Sequence, residues 1–63
     1  MTDLQKTLIR TVKGIIELNS YEPMAYSEVV YNGKKMGLEV GDINEAMNAM
    51  TGDERQYSID WNR

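Results

Sequence analysis

Apolar residues open the chain at helical steps. Leu8, Ile9, Val12, Ile15 and Ile16 follow an i, i+1, i+4, i+7, i+8 rule and Leu4 extends the stripe, so the spacing predicts an amphipathic helix over Thr2–Leu18. Thr2 and Gln5 stand at capping-box spacing, and Asn19-Ser20 ends the helix. The opposite face carries Lys6, Arg10, Lys13 and Glu17, with Lys13 and Glu17 placed to pair weakly one turn apart. Gly14 costs about 1 kcal/mol against alanine inside a helix, which predicts a close backbone approach at that point.

The middle of the chain is organised around Met36–Met50. Val40, Ile43, Met47 and Met50 share one helical face, Asp42 and Glu45 have the spacing of a second capping box, and Gly52 suits a left-handed stop. Before it, residues 20–25 read as irregular, since Pro23 biases Glu22 towards extended backbone, with a short edge strand near Met24–Tyr26. Residues 27–40 admit two readings. As a helix, Ser27 caps, Val29, Val30, Gly33 and Met36 share a face, and Gly37 terminates; alanine in place of Asn32-Gly33 should then add stability. As strands, Asn32-Gly33 is a hairpin turn joining Val29–Tyr31 to Lys34–Val40, where Met36, Leu38 and Val40 alternate. The helix is the favoured reading, because Tyr-Ser-Glu-Val-Val followed by Lys-Lys-Met-Gly-Leu fits a helix that stops in a sharp turn. Thr51–Arg55 reads as a polar turn. Gln56–Trp61 then alternates, with Tyr57, Ile59 and Trp61 on one side and Gln56, Ser58 and Asp60 on the other, as a half-buried strand that closes the domain with Asn62-Arg63. The fold class expected is mostly α with a small β component in one domain over residues 1–63, the alternative being an α+β helix–hairpin–helix–strand arrangement.

Composition narrows the chemistry. The chain has 63 residues, no cysteine and no histidine. Disulfides and thiolate metal sites are excluded, and the commonest zinc ligand and general base are missing. A chain this short buries only about 60% of its unfolded surface, which leaves little interior in which to desolvate a carboxylate pair. There is no Gly-rich phosphate loop and no serine beside a plausible base, and the Asp/Glu spacing does not match a calcium loop. No enzymatic activity, cofactor or metal is expected. Apolar runs such as Leu8-Ile9 and Ile15-Ile16 fall far short of the roughly 20 residues of a membrane span, and Met1-Thr2-Asp3 does not open a signal peptide. The expectation is a soluble, cytoplasmic protein with no membrane partner.

The net charge of −3 is unevenly spread. Residues 1–20 carry +1, residues 21–37 are neutral and residues 38–63 carry −4, with five acids and no base from Glu39 to Glu54. Glu39, Asp42 and Glu45, with Asp53 and Glu54, read either as a solvated face complementing the helix dipole or as a docking surface for a basic protein. Met36, Met47 and Met50 fall on apolar faces as core, whereas Met24, between Tyr21 and Tyr26, is expected to be an exposed contact. Tyr21, Tyr26, Tyr31 and Trp61 read as an interface cluster or as core rim with their polar tips wet.

The segments Tyr26-Ser27-Glu28-Val29, Lys35-Met36-Gly37-Leu38 and Asp42-Ile43-Asn44-Glu45-Ala46-Met47 with Met50 resemble the second helix, turn and third helix of the winged helix-turn-helix superfamily, with Tyr57–Trp61 as what remains of the wing. The resemblance implies a three-helix fold with a short C-terminal strand, and either DNA binding through the third helix or a protein-interaction role. On that helix the residues off the apolar stripe are Glu39, Gly41, Asp42, Asn44, Glu45 and Asn48, whereas DNA affinity rests on cations that neutralise phosphates. The leading expectation is therefore a small regulator or inhibitor that meets a basic protein through Glu39, Asp42, Glu45, Tyr21, Met24 and Tyr26. Its size and self-contained ends suit a phage or mobile-element accessory protein. The alternative is a dimeric DNA-binding regulator in which Asn44 and Asn48 read bases and Lys34, Lys35 and Arg55 hold phosphates.

Overall fold

The computed structural model describes residues 1–62. Arg63, which enters the charge balance above, lies outside the described residues. The element order is α1 (Asp3–Leu18), β1 (Met24–Ala25), α2 (Tyr26–Lys35), α3 (Val40–Asp53) and β2 (Ile59–Asp60), so the fold is mostly α with a small β component. All five elements feed one core: Leu8, Val12 and Ile16 from α1, Met24 from β1, Val29 from α2, Ile43, Ala46, Met47 and Met50 from α3, and Ile59 from β2, with Leu38 and Tyr57 from the connections.

The start of α1 is the capping box that its sequence spells. Gln5 N–H donates to Thr2 Oγ1 at 3.2 Å and Thr2 N–H donates to Gln5 Oε1 at 2.8 Å. The same Gln5 is 2% exposed and crosses to α3, where its Nε2 donates to Asp42 O at 3.0 Å and to Glu45 Oε2 at 3.2 Å. One buried amide thus caps one helix and ties it to another, with its polar atoms satisfied. Lys13 does not pair with Glu17 but with Glu54, at 2.8 Å, because the end of α3 lies beside this flank of α1. The close approach expected at Gly14 is absent: a Cβ there would meet nothing within 4 Å. Past Asn19, Ser20 (φ 58°) and Tyr21 (φ 62°) both take left-handed backbone, and Tyr21 N–H donates to Ile16 O at 2.9 Å to close the helix end.

The helical reading of residues 27–40 holds and the hairpin does not. Val29 and Gly33 are buried on one face of α2, with Val30 and Met36 at its edges. The helix begins at Tyr26, one residue earlier than a Ser27 cap requires, and Ala25 at its N-cap gives no side-chain bond. Gly37 (φ 92°) ends it: its N–H donates to Lys34 O and that of Leu38 to Gly33 O, both at 3.0 Å, while Leu38 is buried. This paired, glycine-centred stop turns the chain directly into α3.

Three expectations about α3 are corrected. Its N-cap is Glu39, without a side-chain bond, and Asp42 and Glu45 form no capping box because the helix already starts at Val40, which puts Asp42 inside the first turn; the Glu45 carboxylate accepts from Gln5 instead. Val40 opens the helix at 39% exposed, and Ala46 occupies the buried stripe with Ile43, Met47 and Met50. Gly52 lies inside the last turn, so Thr51–Asp53 is helical and the chain leaves through extended Glu54 (φ −133°). β2 keeps the expected burial of Tyr57 and Ile59 in a shorter strand, paired parallel to β1 with Met24 opposite Ile59 and Ala25 opposite Asp60. Among the described residues no helix is long and apolar enough to cross a membrane.

Candidate functional site

α3 packs its apolar stripe inward against α1 and α2, which leaves its polar residues outward. Glu39, Asp42, Glu45 and Asp53 are exposed and Glu54 is half-buried. No lysine or arginine falls within the helix, and Lys13–Glu54 is the one salt bridge among the described residues. Glu39 and Asp42 stand at the N-terminal end of α3, where negative charge is favoured by the helix dipole. The acidic surface is therefore compatible with the helix that carries it. Glu39, Asp42, Glu45 and Asp53 form no salt bridge among the described residues.

Asp42 and Glu45 flank α1 through Gln5, whereas Asn44, one residue round the helix, faces the other way. Its Oδ1 accepts from the Tyr26 hydroxyl at 2.5 Å, and the Tyr26 ring packs against Trp61 with centroids 5.3 Å apart. The acids and this aromatic pair lie on opposite borders of the outward face of α3, on which Asn48 is exposed. Trp61 is 43% exposed and offers an aromatic edge beside the helix. Tyr21 is half-exposed at the far end of β1, where its ring meets Tyr57 at 5.7 Å.

The sequence-derived patch of Tyr21, Met24 and Tyr26 does not assemble. Met24 is 5% exposed, a core residue rather than a contact: in β1 its side chain faces α1, and its N–H donates to Ser58 O at 3.1 Å. Tyr21 and Tyr26 are parted by β1 into two ring pairs. Trp61 takes the place expected of Met24: the alternation of Gln56–Trp61 set it on the buried side with Tyr57 and Ile59, but β2 ends at Asp60 and Trp61 is left 43% exposed.

The residues grouped for DNA contact are dispersed. Lys34 and Lys35 sit on the last turn of α2, Arg55 lies beyond the far end of α3, and Asn44 is half-buried and engaged by Tyr26. Lys35 Nζ stands 5.1 Å from the ring centroid of exposed Tyr31. Of the two asparagines, only Asn48 is exposed on α3. Among the described residues no group of three or more Asp or Glu side chains is arranged to hold a metal ion. What sequence reasoning missed is the second role of Gln5, its bonds to Asp42 O and Glu45 Oε2 on α3. Its position on the buried side of α1, three residues before Leu8 and seven before Val12, was the available sign that its amide is drawn into the fold.

No family model, curated protein or solved structure matches the chain.

Proposed function

We propose that this chain is a small, non-enzymatic regulator or inhibitor that works in the cytoplasm by protein–protein contact, presenting the outward face of α3 to a basic partner. The observation that carries this reading is the charge arrangement on α3: Glu39, Asp42, Glu45 and Asp53 are exposed along one helix that contains no cation. Such a surface speeds encounter with a positively charged partner and rejects acidic ones, so it sets specificity and association rate more than raw affinity. Tyr26 and Trp61 add the aromatic edge from which a contact draws its binding energy. The α2–turn–α3 unit is read as a helix-turn-helix of winged-helix type, diverted from nucleic acid. In support of that diversion, the cations that would hold phosphates stand at opposite ends of α3.

The test is charge reversal. Replacing Glu39, Asp42 and Glu45 together by lysine should abolish capture of a basic partner while helical content is retained. The neutral Gln/Asn/Gln variant separates loss of charge from inversion, since reversed charges also oppose the helix dipole by about 0.3–1 kcal/mol each. Unchanged capture by the lysine variant would remove α3 from the mechanism. Titration with duplex DNA at low and moderate salt should show no saturable binding. Saturation with a steep negative salt slope would replace this reading with the nucleic-acid one.

A further inference from the structure

One flank of α1 presents uncharged side chains that are exposed at its two ends and half-buried between them. Leu18 is 86% exposed and Leu4 47%, while Thr7, Thr11 and Ile15, each half-buried, lie between them on the same side of the helix. The spacing of these five residues, 4, 7, 11, 15 and 18, is symmetric about Thr11. None is charged. The two threonines have turned their hydroxyls into their own helix, Thr7 Oγ1 donating to Asp3 O at 2.9 Å and Thr11 Oγ1 to Thr7 O at 3.0 Å, which leaves their methyl groups to face outward. Gly14 borders the strip with nothing within 4 Å of the position a Cβ would take, so a neighbouring helix can come close to the backbone there. Arg10 edges the strip, its guanidinium 3.2 Å from Thr7 Oγ1.

We propose that this strip is a dimerisation seam whose occupant is α1 of a second copy, running antiparallel about a two-fold axis at Thr11. A symmetric strip reads the same from either end. An antiparallel copy sets Leu4 against Leu18 at both ends, Thr7 against Ile15 twice, and Thr11 against Thr11, the self-matching that a two-fold interface requires. Charge points the same way. Residues 1–20 carry only +1 whereas residues 38–63 carry −4, so two copies that meet through α1 keep their acidic halves out of the contact. A stable interface takes about 800 Å² from each partner, roughly a fifth of this chain's 4027 Å², and one helix flank supplies less. The dimer is accordingly weak, with a Kd between about 1 µM and 1 mM, and α3 stays open in it.

The chain contains no cysteine, so single cysteines report the seam directly. Under mild oxidation Thr11→Cys should cross-link to itself. Leu4→Cys should cross-link to Leu18→Cys when the two are mixed, and neither should cross-link alone, because in this arrangement each lies far from its own copy. In sedimentation equilibrium the unmodified chain should dimerise with rising concentration, and Leu18→Lys, at a site too exposed to disturb the fold, should weaken that at least about tenfold. Leu4→Cys cross-linking to itself overturns the antiparallel seam. A chain that stays monomeric up to about 1 mM, or a dimer indifferent to Leu18→Lys, overturns the proposal altogether.

Discussion

The Tyr57 ring lies against the last turns of α1. Its hydroxyl donates to the Glu17 carboxylate, Lys13 Nζ stands 5.2 Å from its ring centroid, and Tyr21 leans on it. The hydrogen bond to Glu17, then burial, then the carboxylate's charge push the Tyr57 hydroxyl above the ordinary tyrosine range. The folded chain therefore holds this proton more tightly than the unfolded chain does. Its contribution to stability is complete below the unfolded tyrosine value of about 10 and is lost as pH climbs from there through the raised folded value. Tyr57→Phe should lower stability at pH 7, where the hydrogen bond is intact. The gap between the two proteins should narrow above about pH 10, because only the unmodified chain has this proton to lose. Denaturant titrations at several alkaline pH values check this. A parallel decline of both proteins would mean that the hydroxyl titrates without consequence for the fold.

The pairing of α2 with α3 turns on a residue whose propensity points the other way. Glycine within a helix is worth about 1 kcal/mol less than alanine, so Gly33→Ala should stabilise if α2 is judged alone. In the folded chain a Cβ at Gly33 would stand 2.5 Å from both Cγ1 and Cδ1 of Ile43, which is fully buried and β-branched and so has little freedom to turn aside. Overpacking costs about 1–3 kcal/mol against that propensity gain, and the expected result is a net loss of up to about 2 kcal/mol by thermal or chemical denaturation. A gain would show that the two helices separate easily. This position also marks the limit of what the chain discloses by itself. The α1 stripe, its capping box, the stop at Gly37 and the alternation of Tyr57 and Ile59 are local patterns, and each was legible. The second capping box, the Ser27 cap and the Gly52 stop were equally good local patterns, yet α2 starts at Tyr26 and α3 runs from Val40 to Asp53, which puts all three inside helices; exposed Met24 yielded to a distant element, β2 beside it. The outward acids of the candidate site were legible from the stripe they avoid. The ring pairs were not, since they depend on how β1 and β2 align.

That alignment closes the molecule. The two strands are only two residues each, far too short to hold together by ladder bonds, and they run parallel with Met24 beside Ile59. In a parallel register the residues before each strand meet, and so do the residues after. Tyr21 packs on Tyr57 at one end of the ladder and Tyr26 on Trp61 at the other, so aromatic contacts clamp a sheet too small to form unaided. Tyr57 and Ile59 are also two of the twelve buried apolar residues of the core. Burying Ile59 alone is worth about 1.5–3 kcal/mol, and a core of this size rarely supplies more than about 3–5 kcal/mol in all. A chain ended at Gln56 should therefore lose its cooperative thermal transition and keep at most fluctuating helix, even though α1, α2 and α3 are all intact in its sequence. Circular dichroism melts of the full and shortened chains decide it. A shortened chain that still melts cooperatively within a few degrees of the full one would mean that three helices suffice, and that the aromatic clamp exists to present Trp61 rather than to hold the fold.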